Sequence, residues 1–430
     1  MKFLIDFLGC KVNSYEVEAV ANDLMKHGFI EIKKDSTDTP DLIIINTCAV
    51  TETSSSKSKK MIRQYRIKYR DAIICVMGCF SQYEGDYVIN NLKANIVLGT
   101  NQRSKIFDYI NEFLTNRQPI LIKNNALKDK AYENISLDNY FDKTRAFLKI
   151  QDGCNNFCTY CLIPFVRGPS RSRPIESILI EVKKLINNGY KEIILTGIDQ
   201  GSYGLDFNNG MTFSKLLKEI LINNPDLYRL RISSIEESQI DEDFINLLKD
   251  YPNIANHLHI PLQSGSSKIL KLMHRKYNLE NYILKIDKIR KIKPDISITT
   301  DVIVGFPGET EEDFEATLDF IRKINFAKVH VFPYSDRNGS AASKFPNKVS
   351  DIEKKNRVNR LIELSDELEH NYENKFYGKD IDFLFESYDS RRGGYKGHSS
   401  NYLECFIKSD INIKDKILNI TFKKDNSCLD

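Results

Sequence analysis

Apolar and polar positions follow three successive rhythms along the chain. Over residues 1–120, short apolar runs ("KFLIDFLG", "DLIIINTC", "AIICVMGC", "ANIVLG") each lead into an amphipathic stretch, near 14–27, 54–69, 82–92 and 103–115. Repeated strand–helix alternation predicts a parallel α/β sheet covered by helices. Residues 121–144 are polar and aperiodic and read as a linker. From residue 145 the alternation restarts, with apolar runs at 145–150, 192–197, 228–234, 256–262, 296–305 and 327–334. The stretches between them have helical periodicity: in "EEDFEATLDFIRK", Phe314, Leu318 and Ile321 share one face. Six β/α units over 145–372 predict a partial (β/α)6 parallel barrel, whose chemistry gathers at the carboxyl ends of its strands. A charged helical stretch at 351–378 ends this pattern. The short alternating runs "IDFLFES", "NYLECFIKS" and "ILNITF" then predict a small antiparallel β-barrel over 373–430.

Composition narrows the class. Apolar residues make up 41% of the 430 and charged residues 28%, a globular balance. No apolar run reaches 18 residues, and the N-terminus turns polar too early for a signal peptide. A cytoplasmic protein with no membrane partner is expected. The net charge of +3 does not announce nucleic-acid binding, so any such claim rests on local patches. Nine cysteines is an odd number, and cytosolic thiols stay reduced, so metal binding or catalysis is a better reading than disulfides.

Two thiol sets stand out. Cys154, Cys158 and Cys161 lie in one loop after the first barrel run. Three thiolates can hold an Fe–S cluster with one iron left open. A structural zinc site would want a fourth ligand, and the nearest histidines, His257 and His259, sit in an expected strand. Cys10, Cys48 and Cys79 each follow an apolar run, and parallel strands would bring such ends to one edge. Cys75 is mid-run and reads as core, while Cys405 and Cys428 have no partners and read as structural.

The C-x3-C-x2-C loop resembles that of the radical S-adenosylmethionine (SAM) enzymes. The blocks "GCKVNSYEVEA", "NTCAVTE", "MGCFSQ", "DGCNNFCTYCLIPFVRGPSRSR", "HLHIPLQSGSSKILKLMHRKY" and "TTDVIVGFPGETEEDF" together resemble the methylthiotransferase family, in order and over nearly the whole chain. The resemblance implies an N-terminal cluster-binding domain, a radical SAM barrel and a C-terminal RNA-binding TRAM-like barrel. It implies two [4Fe–4S] clusters, one on Cys154, Cys158 and Cys161 and one on Cys10, Cys48 and Cys79. It further implies SAM beside Tyr160, Glu236 and Gln263. For Glu236 and Gln263, ordinary loop chemistry at the strand ends is the competing reading.

The implied reaction inserts a methylthio group into adenosine 37 of tRNA, with an electron donor such as flavodoxin or ferredoxin and an unidentified sulfur donor. Lys11 and Val12 in "GCKVNSYE", together with "FPYSDRNGSAA", resemble the branch acting on N6-threonylcarbamoyladenosine. Asp199–Gln200 and Ser340 depart from that branch. The isopentenyladenosine branch and a branch acting on a ribosomal protein aspartate remain alternatives. Two basic stretches fit RNA: 57–70, with seven basic residues and two tyrosines, and a loop bearing Arg391, Arg392, Tyr395 and Lys396. A solvated basic helix face and a plain hairpin are the competing readings.

Overall fold

The computed structural model describes residues 1–137 and 144–423. Its N-terminal part is a six-stranded parallel sheet: β1 (Lys2–Phe7), β2 (Ile30–Glu31), β3 (Leu42–Thr47), β4 (Ile73–Gly78), β5 (Ile96–Leu98) and β6 (Ile120–Ile122). Their order is β2-β1-β3-β4-β5-β6. The helices are α1 (Lys11–Lys26), α2 (Glu52–Lys68), α3 (Cys79–Asn90) and α4 (Ile106–Asn116). β3 and β4 read as unbroken apolar runs because helices cover both faces, and every residue of each is buried. Cys75 is fully buried in β4, as its mid-run position predicts. Within the stretch read as a linker, β6 completes this sheet, and Ile135 and Leu137 are buried against barrel residues.

The barrel strands are β7 (Arg145–Lys149), β10 (Glu192–Thr196), β11 (Arg229–Ile232), β12 (His257–His259), β13 (Ser297–Val304) and β14 (Lys328–Pro333). A short hairpin of β8 (Gln151–Asp152) and β9 (Arg171–Ser172) brackets the cysteine loop. Single bridges, Leu230 to Ile254 and Ser234 to His259, join the ladder β7-β10-β11 to the ladder β12-β13-β14. Outside lie α5 (Ile163–Arg167), α6 (Ile175–Asn187), α7 (Phe213–Asn223), α8 (Glu242–Asp250), α9 (Ser267–Leu272), α10 (Leu279–Ile292), α11 (Glu311–Ile324) and α12 (Asp351–Asn374). β14 does not pair with β7, so the barrel is open; α1 packs along β7 and α12 along β14.

The C-terminal part is an antiparallel sheet of β15 (Asp380–Asp389), β16 (Gly394–Ser399), β17 (Glu404–Lys408) and β18 (Ile417–Thr421), in the order β17-β16-β15-β18. One expectation needs correction here. Tyr395 and Lys396, read as loop residues, lie on β16, paired with β15 and β17. The glycine-rich, polar stretch "GYKGHS" hides a strand because its apolar alternation is missing. Cys405 is buried in this sheet's core, and Cys428 lies outside the described residues. The sheet docks through Arg231, which donates to Glu192 at 2.6 Å and to the carbonyls of Ser399 and Ser400.

Candidate functional site

Cys10 lies three residues beyond β1, whereas Cys48 and Cys79 directly follow β3 and β4. Neighbouring strands run level, Phe7 opposite Asn46 and Thr47 opposite Gly78, so the three positions meet at one sheet edge. They line a single cavity of about 1010 Å³. Strand order reverses between β1 and β3, and open α/β sheets take ligands in that crevice. Cys10 caps α1 and Cys79 opens α3, so two helix N-termini, which favour thiolates, meet here. Gly78 permits the turn into Cys79: its φ is 105°, and a Cβ would come within 2.2 Å of Asn46 Oδ1.

A buried ionic joint ties this edge to the barrel. Burial outweighs Arg167, which donates through Nε to Cys79 Sγ at 3.2 Å, and leaves the Cys79 thiol raised to about 12. The same guanidinium reaches Glu16 at 2.7 Å and Asp152 at 3.2 Å. Glu16 also meets Arg103 at 2.6 Å and Lys149 at 2.9 Å, and Arg103 meets Glu133 at 2.7 Å. With Arg171 beside Asp152, four cations face three carboxylates. The surplus charge lowers the cost of a thiolate at Cys79, although burial remains the larger effect.

The second thiol set is local. Cys154 donates its backbone N–H to Gly168 O, and Cys161 to Cys158 O, closing the loop on itself. Each sulfur faces an N–H donor at 3.4 Å: Asn156 N for Cys154, Arg275 for Cys158 and Ile163 N for Cys161. Phe157 holds φ at 49°, unusual for a bulky residue and a mark of a loop shaped for use. Burial pushes Cys161 up to about 12, and Cys79 of the other set is among the charges that add to this. Among the described residues, no three His, Cys, Asp or Glu side chains converge closely enough to hold a single metal ion. The fit to a cluster rests on the donor set: three thiols per site and N–H donors aimed at the loop sulfurs.

Comparison with known proteins decides the family. The Radical SAM superfamily pattern matches residues 148–321, and the Uncharacterized protein family UPF0004 matches residues 2–99. A Bacillus subtilis protein named "Threonylcarbamoyladenosine tRNA methylthiotransferase MtaB" is 41% identical over 97% of this chain and 92% of its own length. A Thermotoga maritima protein of the same name is 37% identical over 94% and 90%. A Clostridium botulinum "tRNA-2-methylthio-N(6)-dimethylallyladenosine synthase" is 36% identical over 90% and 86%. The chain belongs to the radical SAM methylthiotransferases. Among solved structures, the radical SAM methyltransferase TsrM of Kitasatospora setae superposes with a TM-score of 0.57 at 16% identity, covering 77% of this chain and 74% of that one. That likeness speaks to fold alone.

As a radical SAM methylthiotransferase, the enzyme uses SAM and a [4Fe–4S] cluster. Its sequence-predicted rim residues fall around the loop with different commitments. Tyr160 packs edge-on against Phe306 with ring centroids 6.4 Å apart. Glu236 follows β11, caps a short turn with Gln239 and is ion-paired with Arg275. Burial pushes its carboxyl up, and Arg275 pulls it back. Gln263 follows β12 at φ 63°, where its backbone bonds Asp301 and Ile303 of β13.

Two residues beside the thiols escaped the sequence reading, Arg167 and Arg275, and Asp199 entered it only as a departure from the branch pattern. Asp199 lies 3.6 Å from Cys154 Sγ and accepts from Asn156 and Gln239. The local sequence misdirects at Arg167. "VRGPSRSR" looks like an exposed basic loop, yet Arg167, Arg171 and Arg173 are all buried.

The basic stretches are partly consumed by the fold. On α2, Arg66 bonds the carbonyls of Ala72 and Lys93, Arg63 bonds Tyr87, and Tyr65 donates to Asp6 at 2.7 Å. Lys57, Lys60 and Lys68 remain exposed. In the C-terminal sheet, Arg392 lies over Phe406 and Lys396 pairs with Glu404 at 2.6 Å, leaving Arg391 at the turn. No helix among the described residues is long and apolar enough to cross a membrane.

Proposed function

We infer that this enzyme converts N6-threonylcarbamoyladenosine 37 of tRNA to its 2-methylthio derivative. The observation that carries the reading is the pairing of two three-thiol sites. One lies on the radical SAM loop and one at the N-terminal sheet edge, with Arg167 of the loop's own helix bonded to Cys79 of the other. In this reading Cys154, Cys158 and Cys161 hold the SAM-binding cluster, and Cys10, Cys48 and Cys79 hold a second [4Fe–4S] cluster. Bound, these groups supply a reducing electron, a radical that removes hydrogen from an unactivated C–H, and sulfur.

The chain's own residues bind, orient and exclude water. Arg275 joins Cys158 to Glu236, and Asp199 joins Cys154 to Gln239, so the loop sulfurs are indexed to the turn after β11. Tyr160, Glu236 and Gln263 are assigned to SAM. An unactivated carbon offers nothing to a side-chain base, and none is assigned. Lys11 and Val12 match the threonylcarbamoyl branch, and the relatives named for that substrate reach 41% and 37% identity. A relative named for the dimethylallyl substrate reaches 36%, which keeps that substrate as the second reading. In the same reading the enzyme is cytoplasmic, served by a small electron carrier such as flavodoxin or ferredoxin.

Mass spectrometry of nucleosides from tRNA of cells with and without the gene tests this. Loss of the methylthio-threonylcarbamoyl nucleoside is expected. Loss of the methylthio-isopentenyl nucleoside instead would overturn the substrate and leave the chemistry standing.

A further inference from the structure

A second cavity, of about 440 Å³, lies where the three parts of the molecule meet. Lys11 enters it from α1, Ser233 and His259 from the barrel, Glu373 from α12, and His398 and Tyr402 from the C-terminal sheet. Every residue lining it is polar or charged, and no aliphatic side chain is among them. It shares a wall with the thiol cavity. Lys11 directly follows Cys10, and Asp301, which lines the thiol cavity, sits 3.2 Å from His259 of the second.

Two groups in this cavity are short of partners. The Lys11 ammonium has Ser233 Oγ at 3.4 Å as its contact, and among the described residues no carboxylate pairs with it. Lys328, by contrast, is taken by Glu369 at 2.6 Å. His257 is 6% exposed; its Nε2 bonds Thr299 at 3.0 Å while its Nδ1 has no partner. Burial holds this imidazole well below the usual histidine range, so it offers an uncharged hydrogen-bonding edge.

We propose that this cavity is the subsite for the threonylcarbamoyl side chain of the target adenosine, with Lys11 pairing its carboxylate and His257 bonding its hydroxyl or ureido group. The proposal rests on the substrate inferred above. C2 and C6 flank N1 of the adenine ring, so C2 and the N6 substituent leave it in diverging directions. An adenine whose C2 faces the thiol cavity therefore sends its N6 substituent to one side, into the adjoining cavity. A threonylcarbamoyl group carries a carboxylate, a hydroxyl and two N–H donors for these walls. An isopentenyl group would strip water from the same polar wall and return no hydrogen bond, the situation in which a site rejects an analogue most strongly.

The test uses the full-length enzyme with reconstituted clusters and synthetic anticodon stem-loops. These carry threonylcarbamoyladenosine, its methyl ester, isopentenyladenosine or plain adenosine at position 37. Wild type should show a KM for the ester raised roughly ten- to a hundredfold over the free acid, the range of one charge-assisted hydrogen bond. In Lys11→Met that gap should close, and in Lys11→Arg it should persist; iron content checks that each variant is folded. A gap that survives in Lys11→Met, or is absent from wild type, overturns the proposal. So does an equal loss on acid, ester and plain adenosine, which would make the anion a backbone phosphate. Wild-type turnover of the isopentenyl stem-loop and not the threonylcarbamoyl one would instead sink the inferred substrate.

Discussion

The two thiol sites of this chain are built in opposite ways. Cys154, Cys158 and Cys161 occupy one loop, bracketed by the β8–β9 hairpin and closed by its own backbone hydrogen bonds. Cys10, Cys48 and Cys79 come from three strands and meet only because β1, β3 and β4 are neighbours running level. A loop site needs local geometry, whereas a sheet-edge site needs the whole domain folded and docked. The first should tolerate distant damage and the second should not.

The largest effects come from removing the cysteines proposed as cluster ligands. Cys161→Ala is expected to abolish both SAM cleavage and methylthiolation. Cys48→Ala is expected to abolish methylthiolation while 5′-deoxyadenosine still forms from SAM. Iron content should fall from about eight to about four per chain in either variant. Full methylthiolation by Cys48→Ala would remove the sheet edge from the chemistry and end the comparison.

Arg167 is the place to break one site through the other. It sits on the helix after the loop, yet its guanidinium serves Cys79, Glu16 and Asp152. Arg167→Leu leaves two buried carboxylates short of a partner and is expected to cost about 3–5 kcal/mol, read by denaturant unfolding. Its iron loss should fall on the sheet-edge cluster, with SAM cleavage retained. Loss of both clusters together would show that the sites are not separable.

The two constructions also explain what the sequence could reveal. A contiguous C-x3-C-x2-C spacing is visible to anyone counting, and strand-end cysteines are visible once the apolar runs are read as parallel strands. The ionic joint is not visible in this way, because its members pair across the chain: Arg167 with Glu16, Lys149 with Glu16, Arg103 with Glu133. Such pairs leave no periodic trace. One hint was there. Glu16 lies one turn beyond Val12, on the face of α1 that buries Val12, Ala19 and Val20, so a carboxylate stands where an apolar residue is expected. β16 escaped for a different reason, since glycine and polar residues supplied its sheet positions.

A control for docking in general lies at Glu192, at the other end of the barrel. Burial alone would raise this carboxyl, but Arg231, Arg229 and Arg145 hold it to about 2. A carboxyl depressed in the folded state stabilises it fully above its unfolded value near 4.5 and loses that contribution as pH falls towards about 2. The shift corresponds to about 3 kcal/mol. Stability measured against pH should therefore decline across this window, and Glu192→Gln should flatten the decline. If docking of the C-terminal sheet also governs the thiol edge, Glu192→Gln should lower iron content at neutral pH. Retained iron would confine the dependence to the sheet edge's own joint.

The smallest effect concerns the exposed basic face of α2, whose helix begins just after Cys48. The fold narrows the useful positions. Lys59 pairs with Glu84 at 3.3 Å and lies over Phe80 and Tyr87, and Arg63 bonds Tyr87, so replacing either would perturb packing as well as charge. Lys57 and Lys60 are exposed, and Lys57 also lines the thiol cavity. Exchanging both for Glu should weaken tRNA binding and lower the slope of log affinity against log salt by about 0.7–0.9 per lost phosphate contact. A full drop of two contacts would place the RNA backbone along the sheet edge, giving that site a second dependence on assembled parts that the loop lacks. An unchanged slope would leave α2 a solvated face and turn attention to the turn bearing Arg391.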